Sequence, residues 1–276
     1  MKVKFSINTA RNRLSKPFFS SIALVGIVGG IGVATFSSPG VAAAQSSYST
    51  GSTAITYKAP PTNLVSEGKA IFEENCASCH GGLAEGSSRG PNLQGLGAAT
   101  IDFWVSTGRM PLADPTIQAV QKPSRFNRQQ TLAIDAYVVS KAPGGPAIPD
   151  VNLPSASLSR GESLFATNCA ACHTITGAGD ALANNVYAPS LMPVDATQVA
   201  EAVRTGPANM PRFGPGTLTN AQVADIVKYV MYLHHPNNAG GIALGHVGPV
   251  TEGFIGILVG LGAVMLFGFW IGGRSH

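Results

Sequence analysis

The stretch Ser66-Glu67-Gly68-Lys69-Ala70-Ile71-Phe72-Glu73-Glu74-Asn75-Cys76-Ala77-Ser78-Cys79-His80 returns, at an offset of 93, as Ser159-Arg160-Gly161-Glu162-Ser163-Leu164-Phe165-Ala166-Thr167-Asn168-Cys169-Ala170-Ala171-Cys172-His173. The match continues in one order. Pro91-Asn92-Leu93 answers Pro189-Ser190-Leu191, Thr107-Gly108 answers Thr205-Gly206, Met110-Pro111 answers Met210-Pro211, and Ile134 with Tyr137-Val138 answers Ile226 with Tyr229-Val230. A repeat of this kind means two copies of one supersecondary unit in tandem. Apolar spacing predicts a mainly α fold. Each module opens with a short amphipathic helix around Phe72 or Phe165 and closes with a helix over 131–139 or 219–233, the second with Val223, Ile226, Val227 and Val230 on one face and Thr219 as N-cap. Strand signals are weak throughout.

All four cysteines lie in the two Cys-x-x-Cys-His motifs. Two thiols three positions apart suit thioether attachment to the two vinyl groups of one porphyrin, and the adjacent His is then held beneath the ring as an iron ligand. A zinc ribbon would bring its pairs within about 15–20 residues, a thioredoxin-like pair would sit in a βαβ unit, and simple disulfides stay open in an oxidising compartment. The reading is therefore two covalently bound haem c groups, on Cys76 and Cys79 and on Cys169 and Cys172, with His80 and His173 as axial ligands. For the opposite face of each ring, Met110 is the only Met or further His between His80 and the second motif. Met210 is preferred over Met192, Met231, His234 and His235 because it repeats the Thr-Gly and Met-Pro setting of Met110. A ligating imidazole normally donates its second N–H to an acceptor, and the carbonyls of Pro91 and Pro189 are placed to receive it.

Outside the modules, Lys2, Lys4, Arg11, Arg13 and Lys16 precede an apolar stretch over 18–36 and small residues up to Ala44. This is the layout of a secretory signal or an uncleaved signal anchor over 1–44. Residues 45–62 read as a flexible linker, 63–142 as the first module, 143–156 as a proline-rich linker, 157–235 as the second module and 236–252 as a further linker. The segment 253–273 reads as a transmembrane helix: Phe254 to Gly273 carries no charge and would span about 30 Å, the thickness of a bilayer core. Arg274 after it and Glu252 before it place the C-terminus in the cytoplasm and the modules on the extracytoplasmic side of the cell membrane. Charged residues make up 12% of the chain, against about 25% in soluble domains. Between Gln45 and Pro249 stand 12 Lys/Arg and 13 Asp/Glu, a balance that excludes a nucleic-acid partner.

With a first helix, Cys-x-x-Cys-His, Pro-x-Leu, Met-Pro and a closing helix bearing an aromatic, each module resembles the class I cytochromes c. The full order of signal, two modules and one membrane helix is similar to the dihaem cytochrome c subunit of the actinobacterial quinol–cytochrome c reductase, the cytochrome bcc complex. That resemblance implies cytochrome b and Rieske iron–sulfur subunits as partners, and a terminal cytochrome c oxidase as acceptor. The chain would be an electron-transfer subunit of a translocase complex in the respiratory chain, performing no bond chemistry itself. The alternatives are a dihaem subunit of another membrane dehydrogenase or oxidase, and a dihaem peroxidase. The peroxidase would need an open iron, which is disfavoured because each module offers its own Met. One asymmetry stands out: the segment 112–130 has no equal in the second module, and it would contact a partner, shield a haem or be an exposed loop that tolerates insertion.

Overall fold

A computed structural model of the chain describes residues 54–237 and 249–273. The expected signal or anchor over 1–44 lies outside the described residues, as does most of the linker 236–252.

Each module is built on two crossed helices. Helix α1 (Val65–Asn75) packs on α4 (Arg128–Lys141), and α5 (Leu158–Asn168) packs on α8 (Asn220–His234). The crossing is the same in both copies. Gly68 faces the backbone of Ala133, and Gly161 faces that of Asp225, so closely that any β-carbon would collide with a carbonyl oxygen. Beside each glycine an aromatic pair fills the core: Phe72 and Tyr137 have ring centres 5.2 Å apart at 49°, and Phe165 and Tyr229 5.2 Å apart at 50°. These tilted contacts add about 0.5–1.5 kcal/mol to the burial of the rings. Both tyrosine hydroxyls reach loop carbonyls, of Gly82 at 2.6 Å and of Ile175 at 3.2 Å.

Helix α8 starts where the sequence places it, with Thr219 accepting from the N–H of Gln222 while Gln222 answers back. Helix α4 starts three residues before the expected Thr131, because Asn127 and Gln130 form the same reciprocal cap. Two helices were not anticipated, α3 (Ala98–Ser106) and α7 (Ala196–Thr205). They occupy equivalent places in the two modules and pack against each other.

Two expected linkers are in fact paired. Strand β1 (Ile55–Lys58) runs antiparallel to β2 (Ile148–Val151), with Tyr57 opposite Pro149. A proline is tolerated here because every strand of a two-stranded ribbon has an outward edge. Ile55 and Ile148 are buried, which explains why the pairing outweighs the extended preference of the prolines. A second, shorter ribbon joins β3 (Asp180–Ala181) to β4 (Tyr187–Ala188).

The C-terminal helix runs as α9 (Pro249–Gly256), a wider turn over Ile257–Leu261, and α10 (Gly262–Gly272). Within it Gly253–Gly272 form a continuous apolar stretch of 20 residues, none of it buried. Such a helix could cross a membrane.

Candidate functional site

Each Cys-x-x-Cys-His motif is wound into a short helical turn directly after the opening helix: α2 (Ala77–His80) after α1, and α6 (Ala170–His173) after α5. The N–H groups of Cys79 and His80 donate to the carbonyl of Cys76 at 3.1 and 3.0 Å, and those of Cys172 and His173 to that of Cys169 at 3.1 and 2.9 Å. One turn of helix therefore presents the two thiols of each motif together, with the imidazole next in line. All four cysteines are free. Burial, reinforced by Cys79 and Cys172, pushes the thiols of Cys76 and Cys169 up to about 11. They remain protonated, and no group of three His, Cys, Asp or Glu among the described residues could hold a metal ion.

The imidazoles are held by the prolines. His80 Nδ1 lies 2.8 Å from the carbonyl of Pro91, and His173 Nδ1 lies 3.0 Å from that of Pro189. A carbonyl can only accept, so Nδ1 carries the proton and the Nε2 lone pair is left for a metal. Burial lowers the pKa of His173, against the opposing effect of its bond to Pro189, which keeps the ring neutral as a ligand must be. Met110 and Met210 follow the equivalent helices α3 and α7. Met110 is anchored by its N–H to the carbonyl of Trp104 at 2.9 Å, and Met210 by its N–H to that of Pro207 at 3.0 Å.

In the second module Cys169, Cys172, His173 and Met210 line one cavity whose remaining wall is largely apolar, with Leu191 and Val203 among its residues. Two thiols, an imidazole and a thioether around an apolar slot fit a covalently held haem. Of the competing candidates, His234 Nε2 lies 2.8 Å from the carbonyl of Leu191, and neither it nor Met192, Met231 or His235 lines this cavity.

Residues of the first module also line this cavity, which the repeat pattern gave no reason to expect: Phe103, Trp104 and Arg109 come from α3 and the turn after it, Gln118 and Ala119 from the extra segment. That segment turns inward. Gln118 Nε2 donates to the carbonyl of Tyr187 at 2.7 Å, the Tyr187 N–H donates back to Gln118 Oε1 at 2.9 Å, and Gln121 Nε2 donates to the carbonyl of Pro193 at 3.1 Å. Of the three expected roles for 112–130, a free exposed loop fits these bonds least.

Sequence reading also missed a cluster of buried carboxyls where α3, α4 and α7 meet. Asp102, Asp135 and Glu201 are each no more than 1% exposed, and Arg128 Nη1 reaches Asp102 Oδ1 at 2.5 Å. Burial, and then the neighbouring Asp102, raise Asp135 and Glu201 well above the ordinary carboxylate range. A signal was present in the apolar neighbours of each acid: Ile101 and Phe103, Ile134 and Ala136, Ala200 and Ala202.

Comparison with known proteins agrees with this geometry. The family model for cytochrome c matches residues 65–141, and that for cytochrome c oxidase, cbb3-type, subunit III matches residues 156–230. The chain is 38% identical over 274 residues to the cytochrome bc1 complex cytochrome c subunit of Mycobacterium tuberculosis, covering 96% of this chain and 92% of that protein. It is 39% identical over 230 residues to the subunit of the same name from Corynebacterium diphtheriae, covering 77% and 82%. A more distant relative, at 28% identity over 185 residues and covering 60% and 59%, is the cbb3-type cytochrome c oxidase subunit CcoP of Cereibacter sphaeroides. Two cytochrome c modules in tandem, implying covalently bound haem c, and near full-length similarity place this electron-transfer chain in the family of cytochrome bc1 complex cytochrome c subunits.

Proposed function

We propose that the chain carries two haem c groups, one in each module, and relays electrons from a Rieske iron–sulfur subunit to a terminal cytochrome c oxidase within a quinol–cytochrome c reductase. Bound haem supplies a one-electron iron couple. The protein supplies the rest: Cys76 and Cys79, and Cys169 and Cys172, would tether the cofactor; His80 with Met110, and His173 with Met210, would hold its iron; Pro91 and Pro189 fix each imidazole. A His/Met pair raises the potential of iron, as the oxidising end of a respiratory chain requires. With two ligands for each iron supplied by the chain, no site would be left for peroxide. The C-terminal helix anchors the chain with Arg274 in the cytoplasm and both modules outside, and its partners are cytochrome b and the Rieske subunit. Any translocase activity belongs to that complex.

The observation that carries the reading is the doubled constellation, in which the same turn, the same His-to-proline bond and the same Met after the same helix occur twice. The 28% identity to a cbb3-type oxidase subunit favours a second reading, a subunit of an oxidase itself. Gentle detergent solubilisation separates the two. Cytochrome b and a Rieske protein should co-purify with this chain, and its intact mass should include two haems. Recovery with oxidase subunits alone would favour the second reading, and a mass increment of one haem would refute the dihaem assignment.

A further inference from the structure

Arg109 belongs by sequence to the first module, one position before Met110, yet its side chain lines the cavity of the second. It is 8% exposed. Its guanidinium carbon lies 4.9 Å from the centre of the Phe103 ring, and Nη1 is buried with no hydrogen-bond partner among the described residues. A guanidinium stays charged at every working pH, and a buried charge without an anion is costly. The cavity wall does not supply that anion, because no Asp or Glu is among its residues. In the buried acid cluster, Asp102 is already paired with Arg128, and Asp135 and Glu201 have their pKa raised by burial. The anion must therefore arrive with the occupant.

The occupant expected here brings one. A haem fixed by its vinyl groups to Cys169 and Cys172 carries two propionate carboxylates on its opposite edge, and a guanidinium pairs with a carboxylate through two parallel N–H bonds. We propose that Arg109 of the first module pairs with a propionate of the haem held by Cys169 and Cys172, so that the second cofactor is gripped by both modules. The inference rests on the assignment of haem to that motif. The repeat has no symmetric counterpart, since the residue before Met210 is Asn209. The bridge runs one way, from first module to second. It has a redox consequence: a nearby cation favours the reduced, less positive iron, so Arg109 raises the potential of the second haem.

The test is an equilibrium redox titration of the purified complex carrying Arg109→Gln or Arg109→Lys, with haem per chain counted by mass. The expected result is two haems per chain throughout, a downward shift for the second haem in Arg109→Gln, and recovery of most of that shift in Arg109→Lys. Two haems with neither potential moved, or with only the haem at Cys76 and Cys79 moved, would overturn the bridge. Fewer than two haems in the unsubstituted chain would instead overturn the dihaem assignment beneath it. If Arg109→Gln does not assemble, an experimental map of the unsubstituted holoprotein decides. The guanidinium should lie within hydrogen-bond distance of a propionate on the second haem, and its turning to the first haem or to a protein carboxylate ends the proposal.

Discussion

Gly161 stands where α5 crosses α8, with the carbonyl of Asp225 in the place a β-carbon would take. Alanine normally improves a helix by up to about 1 kcal/mol over glycine. Here the neighbour is backbone and cannot swing aside, so overpacking at about 1–3 kcal/mol outweighs the gain. Gly161→Ala should lower the melting temperature of the holoprotein, followed by circular dichroism, and Gly68→Ala should do the same against Ala133. Thr219→Ala is a milder test. It removes the side-chain acceptor for the N–H of Gln222 and should cost about 1 kcal/mol in chemical denaturation. The cap was legible in the sequence because capping is local. The role of the glycines was not, although both sit in the repeated stretch, because nothing in a sequence says which helix will cross there.

Helices α3 and α7 illustrate what was illegible at the next scale. Each buries one acid, Asp102 in α3 and Glu201 in α7, which the repeat comparison passes over because their counterparts are Ala200 and Phe103. Their meaning emerges only when the two helices are brought together with α4 and its Asp135. Burial, then Asp102, hold Asp135 and Glu201 protonated to higher pH in the folded chain than in the unfolded one. The folded state thus binds the extra protons. Their contribution is fully present below the ordinary carboxylate range and is lost as pH rises toward the raised values. Stability of the holoprotein should therefore fall from mildly acidic to mildly alkaline buffer. Glu201→Gln keeps the shape and removes the charge, so it should flatten that dependence and raise stability on the alkaline side. An unchanged pH slope in urea titrations of the variant would assign the dependence to other groups.

The whole molecule is more tightly joined than its tandem sequence suggests. Hydropathy and repeats delimit two modules, and prolines around 143–149 read as a spacer, because both signals are local and pairing between distant segments leaves no periodic trace in strands of four residues. Three contacts make the modules one body: α3 against α7, Gln118 and Gln121 on the loops of the second module, and the ribbon of β1 with β2. The ribbon reaches furthest. Tyr57, beside Lys58 in β1, donates its hydroxyl to Asn220 Oδ1 at 2.9 Å and accepts from Arg204 Nε at 3.3 Å, while Arg204 is itself buried and bonded to the carbonyls of Phe213 and Leu218. The segment before the first module is thereby fastened to the second module, across the linker. If the linker were a free spacer, a protease would cut it readily and release single modules. With its backbone paired from Ile148 to Val151, limited proteolysis of the holoprotein should leave 143–156 intact under conditions that cut exposed loops. Replacing Ile55 and Tyr57 with serine removes a buried side chain and both of the tyrosine's hydrogen bonds, and should open the linker to cleavage without loss of haem from either module. Equal resistance of both proteins would mean that α3, α7 and the two glutamines suffice to hold the modules together.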